Sequence, residues 1–343
     1  MAGSDNPLRG FRIGRQDLRF VGEGLQRPEC ILAERDGSLW VADARGGVMR
    51  IAPGGAQTLI AQTADPHFAS TADLARRFTQ GTLPNGLAFA RNGDILIANF
   101  GTDRLEVMTR DGRSRTLHDS IDGRPIGKVN FVLRDSRDRL WITVSTRIVN
   151  WMEAVRPGLA DGYIALADEK GLRIVAEGLR FTNEVRLDAR EEWLYAVETC
   201  GRCITRFRVG ADGALSGRET FGPADFGPGG FPDGCAFDAF GNLWVTLIMA
   251  ERLIALTPDG EVLTIFDDGR PEAIAALEAA YQAGNAGPEH MMATRSEVAP
   301  WMASITFGGA DLRTAYIGTL FGERIPFFTS PVPGLPMVHW NER

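Results

Sequence analysis

The stretch LRIVAEGLRFTNEVRLDAREEWLYAVE, Leu172 to Glu198, restates an earlier one, LRFVGEGLQRPECILAERDGSLWVAD, Leu18 to Asp43, with one residue inserted. Each copy opens on an alternating strand (Leu172, Ile174; Leu18, Phe20), passes through Glu-Gly-Leu, and places a polar residue four positions on, Asn183 or Glu29. A second strand, a turn and a third strand follow. Internal similarity of this kind marks a repeat architecture. The last strand of the unit recurs as GSLWVAD at Gly37, GDILIAN at Gly93, DRLWITV at Asp138, EWLYAVE at Glu192, GNLWVTL at Gly241 and RTAYIGT at Arg313. Six copies, spaced roughly 45 to 70 residues apart, match or exceed the period of four-stranded propeller blades. The expected fold is therefore an all-β, six-bladed β-propeller.

The chain has 343 residues, and all-β folds run long as one unit, so residues 1–343 read as a single propeller domain. The 40 glycines include the turn pairs Asp36-Gly37, Asn92-Gly93, Asp111-Gly112, Asp212-Gly213 and Asp259-Gly260, the chemistry of hairpin tips. The final blade, ITFGGADL, RTAYIGTL and ERIPFFTS, supplies only three strands, whereas residues 16–22 form a strand with no earlier partner. Pairing the two closes the ring and removes an open sheet edge.

Three insertions account for the uneven period: residues 64–81, 146–161 and 267–300. The first, with Phe68, Leu74 and Phe78, reads as a short helix; the third is Ala/Leu/Glu-rich from Pro271 and is the strongest helix in the sequence. Insertions in repeat folds map to loops, commonly on the binding face, so these are expected to cap one mouth of the central channel.

A net charge of -7 without a basic stripe argues against a nucleic-acid partner. No run approaches the roughly 18 apolar residues of a spanning helix, and MAGSDNPLRG has no signal core, so no membrane partner is expected and the expected location is cytoplasmic. Four cysteines do not make a disulfide framework. Cys200 and Cys203, in ETCGRC, fall on a hairpin turn and read as a turn disulfide or as free thiols; Cys30 and Cys235 read as small buried hydrophobes.

Counting back about ten residues from each traced strand reaches the start of the strand nearest the axis. The residues there are Glu29, Asn85, Asn130, Asn183, Asp233 and Ser304. Equivalent positions in related blades point at the same place, so these side chains should converge at one end of the channel. Two carboxylates and three amides with no Lys or Arg in the register are costly to bury unless a cation sits among them. Oxygen-only donors suit Ca²⁺, Mg²⁺ or Mn²⁺ rather than the His- and Cys-rich sites of Zn²⁺. The alternative is a water-filled channel lined by amides bonded to one another. Phe100, Trp151, Phe181, Phe231 and Met249 are candidates for apolar walls near the mouth.

The segments RPECILAERDGSLWVAD, FTNEVRLDAREEWLYAVE, FPDGCAFDAFGNLWVT and ITFGGADLRTAYIGT resemble those of the family of gluconolactonases, regucalcin (senescence marker protein) and luciferin-regenerating enzymes. The resemblance covers nearly all of the chain outside the insertions. It implies a lactonase that opens a lactone ring with one divalent metal ion, Ca²⁺ first and Mn²⁺, Mg²⁺ or Zn²⁺ as alternatives. It implies Glu29, Asn183 and Asp233 as metal ligands and Asp233 as general base, with Asn130 a further ligand or substrate contact. Asn130, Lys128 and Asn85 are the candidate substrate contacts. The chain departs from the sugar-lactone members at Lys128, where they carry an arginine, and at Asp161, the nearest candidate for an acid they place before the strand that Gly162 opens. Lysine cannot make the bidentate contact of arginine, so a polyhydroxylated lactone is not implied. Two other readings remain: a propeller interaction module with a structural Ca²⁺ ion, and a metal-dependent phosphotriesterase-like hydrolase.

Overall fold

The computed structural model describes residues 6–62 and 81–342. Six four-stranded antiparallel sheets are arranged as a six-bladed propeller, with a two-stranded hairpin, Ser120–Ile121 with Arg124–Pro125, added after the second blade. The sixth sheet is completed by the N-terminal strand: Arg19–Val21 pairs antiparallel with Ile325–Thr329, Arg19 opposite Phe327 and Val21 opposite Ile325. The paired segment is shorter than residues 16–22 because Arg15–Asp17 form a 3-10 turn. The sequence repeat that begins at Leu172 straddles two blades. Its first strand, Gly171–Leu179, is the outer edge of the third sheet, and its second, Thr182–Leu187, is the innermost strand of the fourth.

Alternation along the strands buries large apolar side chains between neighbouring sheets, with Trp40 edge-on to Phe89 and Trp244 edge-on to Phe307. Three buried indoles find an acceptor in an acid six residues earlier. Trp40 Nε1 donates to Glu34 at 2.6 Å, Trp141 to Asp135 at 2.9 Å and Trp244 to Asp238 at 2.9 Å. The glycines of the five turn pairs all take positive φ, as the hairpin reading requires. Two other glycines are fixed by close approach of innermost strands. A Cβ at Gly86 would lie 2.5 Å from the Phe131 ring, and one at Gly234 would lie 2.3 Å from the Ala303 carbonyl oxygen.

The second insertion contains the 3-10 turn Trp151–Ala154; the third contains α1, Pro271–Gln282, and α2, Pro288–Ala293, each with proline in its first turn, where no hydrogen bond is lost. The helix expected in the first insertion lies outside the described residues. The opposite mouth of the channel is covered by the C-terminal tail. His339 approaches the Ala33 carbonyl oxygen at 2.9 Å, Trp340 is buried, and Glu342 pairs with Arg134. No helix among the described residues is long and apolar enough to cross a membrane. Cys200 and Cys203 are free thiols and buried, as are Cys30 and Cys235.

Candidate functional site

The innermost strands are Ile31–Ala33, Pro84–Phe89, Val129–Arg134, Thr182–Leu187, Pro232–Phe237 and Met302–Gly308. In five of them the pairing with the next strand is irregular at one place, and in four of these the irregular stretch holds Asn85, Asn130, Asn183 or Asp233. Such an irregularity re-aims a side chain out of the regular pleat, here toward the axis. Glu29 stands just before the first innermost strand. The strand entries carry a second distortion: Arg27, Phe181 and Trp301 have φ of 55°, 58° and 57°. Left-handed backbone is costly for such side chains and concentrates at functional sites. All three side chains line the same chamber.

That chamber has a volume of about 90 Å³. Its floor is Glu29, Asn85, Asn130, Asn183 and Asp233, five of the six residues of the sequence register, all buried. Ser304, the sixth, does not line it; its hydroxyl donates to the Glu29 carbonyl oxygen and so holds the backbone of the first blade to the sixth. All five apolar candidates, Phe100, Trp151, Phe181, Phe231 and Met249, form walls, and the second and third insertions add Val155, Leu277, Tyr281 and Met291. A larger cavity of about 140 Å³ lies at the other end of the innermost strands, bounded by Leu87, Leu133, Phe307 and the tail residues Met337 and Trp340. The smaller one holds the convergent polar groups, which is what makes it the candidate site.

The register itself holds no Lys or Arg, but a cation reaches the floor from outside it. Arg27, two residues before Glu29, places Nη1 at 2.7 Å from Glu29 Oε2 and donates from Nη2 to Asn85 Oδ1 at 2.6 Å and from Nη1 to the Pro84 carbonyl at 3.2 Å. Lys128 is buried outside the floor, with Nζ 2.8 Å from Asp103 and over the Phe100 ring, and it does not line the chamber. Asp161 is tied to its own loop, accepting from the Thr146 hydroxyl and the Arg147 amide.

Asn183 donates from Nδ2 to Asp233 Oδ1 and, at 3.1 Å, to Thr199 Oγ1. Asn85 donates to the Asn130 carbonyl at 3.0 Å. Asn130 Oδ1 is buried with no hydrogen-bond partner among the described residues. Burial pushes the Asp233 carboxyl well above the usual carboxylate range, and the charges of Glu29 and Glu184 push it further. Burial likewise raises Glu29, against the pull of Arg27.

Glu184 was not anticipated from the sequence. It accepts from the Cys235 amide at 3.1 Å, pairs with Arg186 at 2.8 Å, and burial pushes its carboxyl up to about 7. The signal was present in TNEVRL: an acid and an arginine two apart on one face of an inner strand are placed to pair with each other. Among the described residues no three His, Cys, Asp or Glu side chains converge as a metal cluster; the floor combines two acids with three amides.

Residues 28–275 match the family model described as the SMP-30/Gluconolactonase/LRE-like region, which is most of the chain, so the chain belongs to that family. It is 28% identical over 149 residues to a 6-deoxy-6-sulfogluconolactonase from Pseudomonas putida, a match that covers 43% of this chain and 41% of that protein. The chain thus spans less than half the length of this relative. Among solved structures, a gluconolactonase from Xanthomonas campestris superposes with a TM-score of 0.64 at 17% identity, over 93% of this chain and 89% of that one. Regucalcin from Agrobacterium tumefaciens, described as a calcium-binding protein, superposes with a TM-score of 0.66 at 15% identity, over 95% and 98%. At these identities the structural likenesses establish the propeller fold.

Proposed function

We propose that this member of the SMP-30/gluconolactonase/LRE-like family is a lactonase, a carboxylic ester hydrolase that opens a cyclic ester on a divalent cation held by Glu29, Asn183 and Asp233. The observation that carries this reading is the buried floor itself. Among the described residues, two carboxyls share it with one guanidinium, one more acid than base when both are ionised, and Asn130 Oδ1 is buried with no hydrogen-bond partner. A buried set of oxygen donors with surplus negative charge fits a hard cation such as Ca²⁺, Mn²⁺ or Mg²⁺. The family relative named as a sulfogluconolactonase supports the reaction class.

Such a cation, when bound, acts as a Lewis acid on the carbonyl oxygen of the ester. The side chains do the rest. Asp233 accepts a proton from the attacking water as the water oxygen bonds to the acyl carbon, and returns it to the alkoxide when the ring C–O bond breaks. The product is the open hydroxy acid. Asn183, hydrogen-bonded to Asp233, fixes the orientation of the base, while Asn85 and Asn130 are placed to contact the substrate and Arg27 holds Glu29.

The test is chelation followed by reloading with single cations, with lactone hydrolysis as readout and elemental analysis as control. Activity is expected to vanish and return. Asp233→Asn keeps an oxygen of similar reach but removes charge and proton acceptor, so it should retain cation by elemental analysis while turnover falls roughly 10²-fold or more. Full activity in metal-free protein contradicts the cation; a loaded, fully active Asp233→Asn contradicts the base. A propeller used as an interaction module with a structural ion would bind the cation and hydrolyse nothing.

A further inference from the structure

Among the described residues, the lining above the floor is mainly apolar. Phe100, Trp151 and Phe181 form an edge-to-face run, with centroids 5.8 Å and 6.2 Å apart, and Phe231 meets Tyr281 edge-on at 4.8 Å. Such contacts fix the shape of the walls. Met249 and Leu277 close the gap between them.

The polar atoms near these walls are already committed. Tyr281 Oη donates to the Cys200 carbonyl at 3.0 Å, and Thr199 Oγ1 accepts from Asn183. Arg27 is the one cationic side chain among the described lining residues and is paired with Glu29; Lys128 is paired with Asp103.

Resting on the lactonase reading, we infer that the substrate is a small monocyclic lactone whose ring carries hydrogen or alkyl groups in place of hydroxyls, and no anionic substituent. The floor is placed to meet one ester group. Among the described residues, the wall hydroxyls of Tyr281 and Thr199 are already bonded and so poorly suited to meet ring hydroxyls, and no cation is spare for a sulfonate or carboxylate. The chamber is small, about 90 Å³, which favours a single small ring. Each hydroxyl buried without a partner costs about tenfold or more in binding, because its water contacts are lost and not replaced.

The experiment compares δ-valerolactone with D-gluconolactone, which share a ring size, using the cation-loaded full chain and kcat/KM corrected for spontaneous hydrolysis. With two or more ring hydroxyls left unmet, the apolar lactone is expected to be favoured by about 10²-fold or more. Met249→Gln, which adds an amide to the wall at nearly constant volume, should narrow that ratio by about tenfold, and Met249→Leu should preserve it. Equal or better turnover of D-gluconolactone overturns the inference and leaves the lactonase reading standing.

If no lactone is hydrolysed under any cation loading, the lactonase reading falls. The ligand class is then decided by binding of the corresponding lactams, followed through the fluorescence of Trp151 and Trp301, which line the chamber. Tighter binding of δ-valerolactam supports the apolar assignment. Equal or tighter binding of the polyhydroxylated lactam, or binding of neither, overturns it.

Discussion

Replacing Arg27 by Leu tests whether the floor carries an excess of negative charge that Arg27 offsets only in part. The guanidinium sits 2.7 Å from Glu29 Oε2 and bonds Asn85 Oδ1 and the Pro84 carbonyl, all in a buried setting. Removing one member of a buried ion pair costs about 3–5 kcal/mol, because the other is left charged and unpaired. A chain of 343 residues unfolds with an entropy of about 0.7 kcal/mol/K, from about 2.1 cal/mol/K per residue. The expected loss is therefore about 4–7 °C in Tm in the presence of chelator. Glu29 and Asp233 are already raised by burial, and protonation of either in the variant places the loss toward the lower end. Adding millimolar Ca²⁺ should then raise Tm more in Arg27→Leu than in the parent, since the cation meets two uncompensated carboxylates in place of one. Arg27→Lys keeps the charge without the planar fork and should fall between. Scanning calorimetry with and without Ca²⁺ reads all six states. If Arg27→Leu is as stable as the parent in chelator, or if Ca²⁺ shifts both equally, the charge argument fails.

Deleting residues 1–22 removes the strand paired with Ile325–Thr329 along with the buried Leu8 and Leu18, and should leave an open edge that self-associates; sedimentation velocity showing a folded, soluble monomer would contradict closure by this strand. Glu251 should make stability depend on pH. It is fully buried, accepts from the amides of Ser296, Trp301 and Met302, and burial pushes its carboxyl up to about 7. With the folded value above the unfolded one, the folded state holds the extra proton between about pH 4.5 and 7, so this contribution is greatest at low pH and is lost as pH rises through that window. Urea unfolding should accordingly show Glu251→Gln gaining stability relative to the parent from pH 5 to pH 7.5; a relative loss over that interval would contradict the assignment.

The propeller was legible because the traced strand carries a strong signature in all six blades and because alternation turns position directly into facing. The register that picked out Glu29, Asn85, Asn130, Asn183 and Asp233 worked for the same reason: rotational equivalence lets a position in one blade locate its counterparts. Ser304 shows the limit. It occupies the right position, but in the sixth blade the pairing shifts between Met302 and Ser304, and its hydroxyl turns to the Glu29 carbonyl. Arg27 was missed because a side chain two residues outside the register reaches back into it only through a left-handed backbone at φ 55°, which spacing does not reveal. Lys128 holds the corresponding place in the third blade, yet its ammonium finds Asp103. Residue type could not show that a partner from another loop would intercept it.

The floor is unlike the rest of the molecule in what it contributes to stability. Apolar packing between blades, as in the set that joins Trp40, Phe89, Phe131 and Trp141, favours folding in proportion to the area removed from water. The floor and its surroundings oppose it: Glu29, Asp233 and the neighbouring Glu184 are carboxyls raised by burial, Asn130 Oδ1 has no hydrogen-bond partner among the described residues, and Arg27, Phe181 and Trp301 at the strand entries hold left-handed backbone. An unmet buried acceptor costs about 1–3 kcal/mol, and left-handed non-glycine residues cost of order 1–3 kcal/mol each. An inert channel of this size is more stable when lined by apolar side chains, because replacing buried ionic groups with well-packed hydrophobes is often neutral or stabilising. The amide-lined water channel thus accounts poorly for the two acids and the strained entries. In the proposed lactonase site the two acids have a use, holding a cation and moving a proton, and they lie at the bottom of a chamber whose walls are otherwise free of charge among the described residues.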